Sequence, residues 1–190
     1  MLDGHGIRLE PLAIAHAPEL LAASCDGEIW RLNFTSAPGP DLDSVHHYID
    51  AALAAAHRGE CHPFAVCDLQ GRVLGSTRFY DIDLATPTLA IGYTWYAASA
   101  QRTHVNTACK RLLLGEAFER QSASAVYFHT SHLNLRSQAA IERLGAHRDG
   151  ILRQHKRHKD GSLRDTYTYS ILDHEWPAIR QRLDERLQAG

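Results

Sequence analysis

Two stretches of this sequence place residue types at spacings that could do chemistry. The first runs Ile91-Gly92-Tyr93-Thr94-Trp95-Tyr96 and continues, after a short turn, as Gln101-Arg102-Thr103-His104-Val105-Asn106-Thr107. A strand that feeds a polar turn opening a helix presents up to four amide N–H groups with no acceptor inside the helix. The aligned peptide dipoles add roughly half a positive charge at the same end. With Arg102 nearby, these groups suit a phosphate or pyrophosphate. Any strand–turn–helix shares this geometry, so the stretch alone does not name a ligand. The second stretch is Asn134-Leu135-Arg136-Ser137, which follows a strand and opens a helix closed by Gly145-Ala146. Its plainer reading is an N-cap followed by a first-turn residue. Its functional reading sets Asn134 against a ligand amide and the Ser137 hydroxyl beside a leaving group.

Other chemistry has less support from spacing. His46-His47, His129-x-x-His132 and His155-x-x-His158 are the closest histidine pairs, and no cysteine or carboxylate stands beside them at ligand spacing. No HExxH motif occurs, and no metal is expected. Cys25, Cys61, Cys67 and Cys109 are scattered without a CxxC pair, the pattern of reduced thiols. The segment His147–Asp165 carries Arg148, Arg153, Lys156, Arg157, Lys159 and Arg164. It reads as a solvated hairpin rather than an RNA or anionic-substrate patch, because strand alternation scatters its charges over both faces.

The elements that must position these residues follow from apolar period. Strands are predicted at Ile7–Pro11, Pro63–Asp68, Arg72–Asp81, Thr88–Tyr96, Ala125–Thr130, Ile151–Arg157 and Arg164–Leu172. Helices are predicted at His16–Ser24, Leu42–Arg58 (capped by Asp43 or Ser44), Val105–Arg120 and Arg136–Leu144, with a last one from Asp173 to about residue 188. Gly145 stands where a left-handed C-terminal residue is expected. The order β-α-α-β-β-β-α-β-α-β-β-α describes an α/β (α+β) fold with a mixed sheet of about seven strands flanked by helices. Its front is antiparallel and its second half holds a βαβ unit. Strands and helices do not alternate throughout, which excludes a doubly wound fold.

Composition sets the outer limits. The chain has 190 residues, 44% hydrophobic and 22% charged, which suits one folded unit spanning residues 1–190 with its own core. A net charge of -2 argues against a general nucleic-acid binder. No apolar run approaches the ~20 residues needed to span a bilayer. The start at Met1 lacks a basic-then-apolar export signal, so a cytoplasmic protein is expected. The thirteen histidines are numerous but spread along the chain.

Gly92-Tyr93-Thr94-Trp95, Gln101 to Thr107, Asn134-x-x-Ser137 and Leu144-Gly145-Ala146, in that order, resemble the GNAT superfamily of acyl-CoA-dependent N-acetyltransferases. The branch they resemble is the one containing the ribosomal-protein N-terminal acetyltransferases. The resemblance runs from the strand at Ile7 to the strand ending near Leu172. It implies acetyl-CoA as co-substrate and direct transfer of an acetyl group to a primary amine, on a protein N-terminus or a small molecule. The pantetheine arm would lie along the backbone of Thr94, Trp95 and Tyr96. The pyrophosphate would rest on Gln101, Arg102, Thr103, His104, Val105, Asn106 and Thr107. Asn134 would contact the pantetheine, and Ser137 would be the catalytic proton donor to the departing thiolate. One departure is that His104 and Asn106 stand where the family's loop has glycines, which allow close backbone approach. His104 then either turns from the ligand or touches it. The same departure raises an alternative, a CoA-binding regulatory or sensor module without transferase activity.

The implied reaction needs a proton acceptor. Asp81, His129 and His132 near strand ends, and Glu28 in the loop before Trp30, are the candidates. On the acceptor side, Trp30 and Phe34 fall in the loop joining the first two helices, where the resembling family shapes its acceptor site. Tyr80, with Phe79 and Tyr93, and His129 are further substrate-side candidates. The expected partners are a small-molecule or peptide amine and a second copy of the chain as a homodimer, with no nucleic acid and no membrane.

Overall fold

The computed structural model describes residues 1–189. Ile7 and Leu9 are fully buried from strand β2 (Ile7–Pro11), while Arg8 and Glu10 between them stay half-buried, the period-2 pattern of a sheet with one face on a core. With β1 (Leu2–Gly4), β3 (Cys61–Asp68), β4 (Val73–Asp83), β5 (Thr88–Tyr96), β6 (Ala125–Ser131), β7 (His147–Arg157) and β8 (Leu163–Leu172), it forms one eight-stranded sheet in the order β1-β2-β3-β4-β5-β6-β8-β7. Every neighbouring pair is antiparallel except β5 with β6. That pair is joined by the crossover helix α3 (Val105–Gly115), as a parallel pair requires.

Each face of the sheet carries its own core. Helices α1 (Ala17–Cys25) and α2 (Leu42–His57) bury Leu20, Val45 and Ile49 against Ala65, Val73 and Trp95. On the other face α3, α4 (Leu135–Leu144) and α5 (Trp176–Gln188) bury Leu113, Ile141 and Ile179 against Phe79, Phe128 and Ile171. No helix of the described residues is long and apolar enough to cross a membrane.

The differences from the sequence reading are local. The cap of α2 is Asp41, not Asp43 or Ser44. The Asp41 carboxylate accepts the Ser44 backbone N–H at 2.7 Å, so the two candidates lie in the first turn. An additional strand, β1, escapes sequence detection because its three residues are too few to show a period. Helix α3 gives way to a π-turn at Glu116–Arg120, which carries Phe118 onto Trp176 with ring centroids 5.6 Å apart. The last helix is preceded by a 3-10 turn at Asp173–Glu175. Gly145 does end α4 in the left-handed region, at φ 100°.

One feature of the sheet prepares the site. β5 pairs with β6 only through Thr88↔Ala125, Leu89↔Val126 and Ala90↔Tyr127, although β5 continues to Tyr96 and β6 to Ser131. Beyond Ala90 the strands separate into a wedge. The α3 crossover holds its two sides together, so Leu113→Ala, at a fully buried α3 position, should destabilise the fold by about 2–5 kcal/mol. Asp41→Ala, at the exposed α2 cap, should cost only about 1 kcal/mol. Denaturant unfolding of the two variants checks the contrast.

Candidate active site

The wedge opens where β5 leaves regular geometry. Tyr93 has left-handed backbone, φ 52°, and the β4–β5 register shifts between Ser76 and Arg78. A bulge of this kind bends its strand and sharpens its twist. Thr94, next in line, is held from behind. Its Oγ1 shares a 2.8 Å hydrogen bond with Thr77 Oγ1 and accepts a 3.0 Å bond from Lys110 Nζ on α3. The β6-facing backbone edge beyond Ala90 therefore has no strand partner, while the side chains of Thr94 and Trp95 are occupied elsewhere.

The start of α3 lies at the end of this edge. Thr103 Oγ1 accepts the Val105 N–H at 3.3 Å, and the Ala108 N–H goes to the His104 carbonyl at 2.9 Å. The amides of Asn106 and Thr107 are left as free donors of the first turn. Gln101 ties the loop to both flanks. Its Nε2 donates to the Tyr96 carbonyl at 2.9 Å, and its Oε1 accepts from Arg136 Nη2 on α4 at 2.7 Å. Arg102 is exposed with left-handed backbone, φ 61°. The His104 ring turns toward the β1–β2 hairpin, its Nε2 being the nearest atom to a Cβ built on Gly6, at 3.2 Å.

Across the wedge, Asn134 caps α4. Its Oδ1 accepts the Ser137 N–H at 3.1 Å, so the capping geometry read from the spacing is present. That leaves the Asn134 amide nitrogen and the half-buried Ser137 hydroxyl without hydrogen-bond partners among the described residues.

A model of the acetyltransferase (GNAT) domain matches residues 7–147. The chain belongs to the GNAT family of acetyltransferases. A GCN5-related N-acetyltransferase from Brucella melitensis is similar, with 30% identity over 98% of this chain and 84% of its own and a TM-score of 0.89. Two more distant structures share the fold. RimJ from Mycobacterium smegmatis, solved in complex with CoA-disulfide, is 20% identical over 95% of this chain and 88% of its own, with a TM-score of 0.80. RimL, a ribosomal L7/L12 alpha-N-protein acetyltransferase solved with coenzyme A, is 15% identical over 92% and 99%, with a TM-score of 0.76. No curated protein matches the chain by sequence. The protein is thus an acyl-CoA-dependent acetyltransferase of the GNAT fold.

On the α1–α2 face of this GNAT sheet, side chains of β4 and β6 meet across β5. Tyr80 Oη and His129 Nδ1 share a 2.9 Å hydrogen bond. The contact depends on Gly92, because a Cβ there would stand 2.7 Å from Tyr80 Cε1. Burial pushes the Tyr80 phenol well up, with the Asp81 charge adding to it. Burial likewise lowers His129, opposed in part by Asp81. The pair is therefore neutral near pH 7. Lys110 is also lowered by burial, while remaining bonded to Thr94.

The other base candidates are engaged or remote. His132 Nδ1 accepts the Asp165 backbone N–H at 3.2 Å, and Glu28 pairs with Arg31 at 3.0 Å on the surface. Asp81 is exposed and acts on the pair through its charge. A cavity of about 400 Å³ lies between the α1–α2 loop, α2 and β4–β5, with Ala37, Pro38, Tyr48, Arg78 and Tyr93 among its walls. Trp30 and Phe34 do not line it. They sit half-buried in the same loop, where the Trp30 carbonyl accepts from Lys159 Nζ at 3.2 Å.

The basic hairpin is solvated along β7, as expected, but its tip is not free. Asn33 and Asp160 exchange hydrogen bonds, and Ser131 Oγ bonds His158 Nε2 at 2.8 Å. Sequence spacing also missed a cluster in which Glu10 on β2, His16 in the turn before α1 and Cys67 on β3 bring potential ligand atoms within 4.8 Å of one another. Burial pushes the Cys67 thiol up to about 11, so it holds its proton, and Glu10 is engaged by Arg8 and His16. Arg78, Tyr48, Lys110 and Arg136 carried no sequence signal. Each lies inside an ordinary strand or helix pattern, and only the three-dimensional pairing marks it.

Gly92→Ala should displace Tyr80 and open His129 to water, moving its pKa back up toward 6.5, as read by imidazole NMR titration. The sign for stability follows from the lowered native value. Between that value and 6.5 the unfolded chain binds more protons, so stability rises with pH through this window and falls on acidification. His129→Gln should flatten this part of the stability–pH curve.

Proposed function

We propose that this acetyltransferase takes acetyl-CoA into the wedge between β5 and β6 and moves the acetyl group to a primary amine that enters from the α1–α2 face. The observation that carries this reading is the ladder ending at Ala90, with the starts of α3 and α4 on either side of the gap. The residues suit the co-substrate. An extended amide-rich arm can pair with the β6-facing edge of β5 around Thr94 to Tyr96, as an added strand would. A pyrophosphate fits the free amides of Asn106 and Thr107, with Arg102 beside them. Of the two side chains that stand where the family has glycines, that of His104 faces Gly6, which removes one of the two grounds for a sensor module.

In this reading the chain's own groups do modest work. The amine must lose a proton as its nitrogen bonds the acyl carbon, and the neutral His129, hydrogen-bonded to Tyr80, accepts it directly or through water. As the carbon–sulfur bond breaks, the unpartnered Ser137 hydroxyl passes its proton to the departing thiolate and takes one back from water, while His129 releases the amine's proton to solvent. The free edge of β5 supplies amide N–H groups for the developing oxyanion. Segments beyond the matched region complete the unit, since Tyr169, Ile171, Trp176 and Ile179 belong to the same core as α3. The four unpaired cysteines agree with a reducing, cytoplasmic setting.

Isothermal titration should show coenzyme A binding, and no heat at millimolar ligand would end this reading. Ser137→Ala should lower kcat by about 10- to 100-fold, toward the lower range for a positioned acid, with coenzyme A affinity nearly unchanged. Parallel losses in both would reassign Ser137 to binding. His129→Gln should remove the acidic limb of the kcat/KM profile, which lies below pH 6.5 because burial lowers that imidazole.

A further inference from the structure

Arg78 is a buried cation without a counter-ion. It is 8% exposed in the middle of β4, and its Nε has no hydrogen-bond partner. Among the described residues it takes part in no ion pair. Its guanidinium carbon lies 4.2 Å from the Tyr93 ring centroid and 5.6 Å from that of Tyr48. Such stacking offsets part of the desolvation of a buried charge and neutralises none of it. The acidic group nearest in kind is the Cys61 thiol, which burial holds in its protonated form despite the pull of Arg78. Arg164 on β8 repeats the pattern. Its Nε is unpartnered, and its charge is felt at Tyr80 and Tyr93, whose rings stand 5.1 Å apart.

Arg78 lines the 400 Å³ cavity beside Tyr93, at the residue where β5 opens. An unpaired guanidinium in a pocket presents a planar fork that matches a carboxylate. Apart from the exposed His47, the other polar groups of the wall, Ser36, Ser44 and the Tyr48 hydroxyl, carry no charge, which leaves Arg78 as the one buried cation and suits one negative charge better than a dianion. The wall segment Ala37-Pro38 is buried and pinned, with the Ala37 carbonyl accepting from Lys159 Nζ at 3.4 Å, so this side of the open cavity is fixed, and its volume of about 400 Å³ matches a small molecule.

We propose that the acceptor is a small amino carboxylate, whose carboxylate pairs with Arg78 and whose amine is thereby directed to the open end of β5. This rests on the acetyl-transfer reading above and names its substrate class.

The test titrates the standard α-amino acids, β-alanine and γ-aminobutyrate, each against its amide, into coenzyme-A-saturated protein, and follows thiol release with acetyl-CoA. For at least one amino acid, the carboxylate should bind roughly 10- to 100-fold more tightly than the amide, the scale of one charged hydrogen-bonded pair. The same ratio should appear in kcat/KM, through KM. Arg78→Gln should abolish the difference and Arg78→Lys should keep part of it, while both retain coenzyme A binding. Equal affinity for acids and amides, no amino acid binding at millimolar concentration, or a preference that survives in Arg78→Gln would each overturn the proposal. Failure of coenzyme A to bind in the companion titration would instead strike the acetyl-transfer reading.

Discussion

The site depends on the parallel ladder between β5 and β6 ending at Ala90. Two neighbouring parallel strands would normally satisfy one another's backbone groups along their shared length. Here Tyr93 takes a left-handed conformation, which costs a non-glycine residue about 1–3 kcal/mol and needs its surroundings to enforce it. The surroundings do so from both faces. Tyr93 is held between Arg78 and Tyr80 on one side, and Thr94 is tied to Thr77 and Lys110 on the other. The freed edge of β5 then needs a ligand or water to satisfy it, and such an edge beside two helix starts suits the extended, anionic chain of the proposed co-substrate.

Charge is distributed to match. A chain with a net charge of -2 nevertheless places Arg78, Lys110 and Arg164 around one bulge, each without a carboxylate partner. Lys110 is partly relieved, because burial lowers its pKa and Thr94 accepts its hydrogen bond. Arg78 has no such relief, since a guanidinium does not give up its proton at neutral pH. At the neutral Tyr80–His129 pair a charged imidazole is disfavoured foremost by burial, and the favourable Asp81 charge is opposed by Lys156, His155 and Arg164. In the proposed reading this leaves His129 unprotonated and able to accept the amine's proton.

How much of this could be read from the sequence follows residue by residue. Thr88–Tyr96 was legible to its end residues because a run rich in Thr, Tyr, Ile and Trp bounded by turns has a strong local signature, and Asn134 with Gly145 framed α4 because both are capping residues. The short strand β1 was invisible because three residues carry no period, and the α2 cap was misplaced because Asp41, Asp43 and Ser44 all have capping side chains. The Tyr80–His129 bond, the Lys110–Thr94 bond and the isolation of Arg78 join residues far apart in the chain. Their meaning lies in what is or is not opposite them, which no spacing records.

The long hairpin resolves the remaining tension between a shared fold and an individual acceptor. β7 and β8 are solvated over most of their length, yet their turn is fastened to the α1–α2 loop through Asn33, Asp160 and Lys159, and to the end of β6 through Ser131 and His158. Asp160 is held well below its ordinary range, to about 2, by its bonds to Ser162 and Asn33, so the clasp stays charged across ordinary pH. Trp30 and Phe34 therefore act one step removed from the cavity, as parts of the loop whose position the clasp sets. The sheet itself is shared with RimJ and RimL. In the proposed reading, what distinguishes an acceptor comes from the loop, from its clasp and from the one uncompensated charge on the wall beside them; the loop and clasp can change without disturbing the wedge, whereas Arg78 also steadies Tyr93 at its mouth.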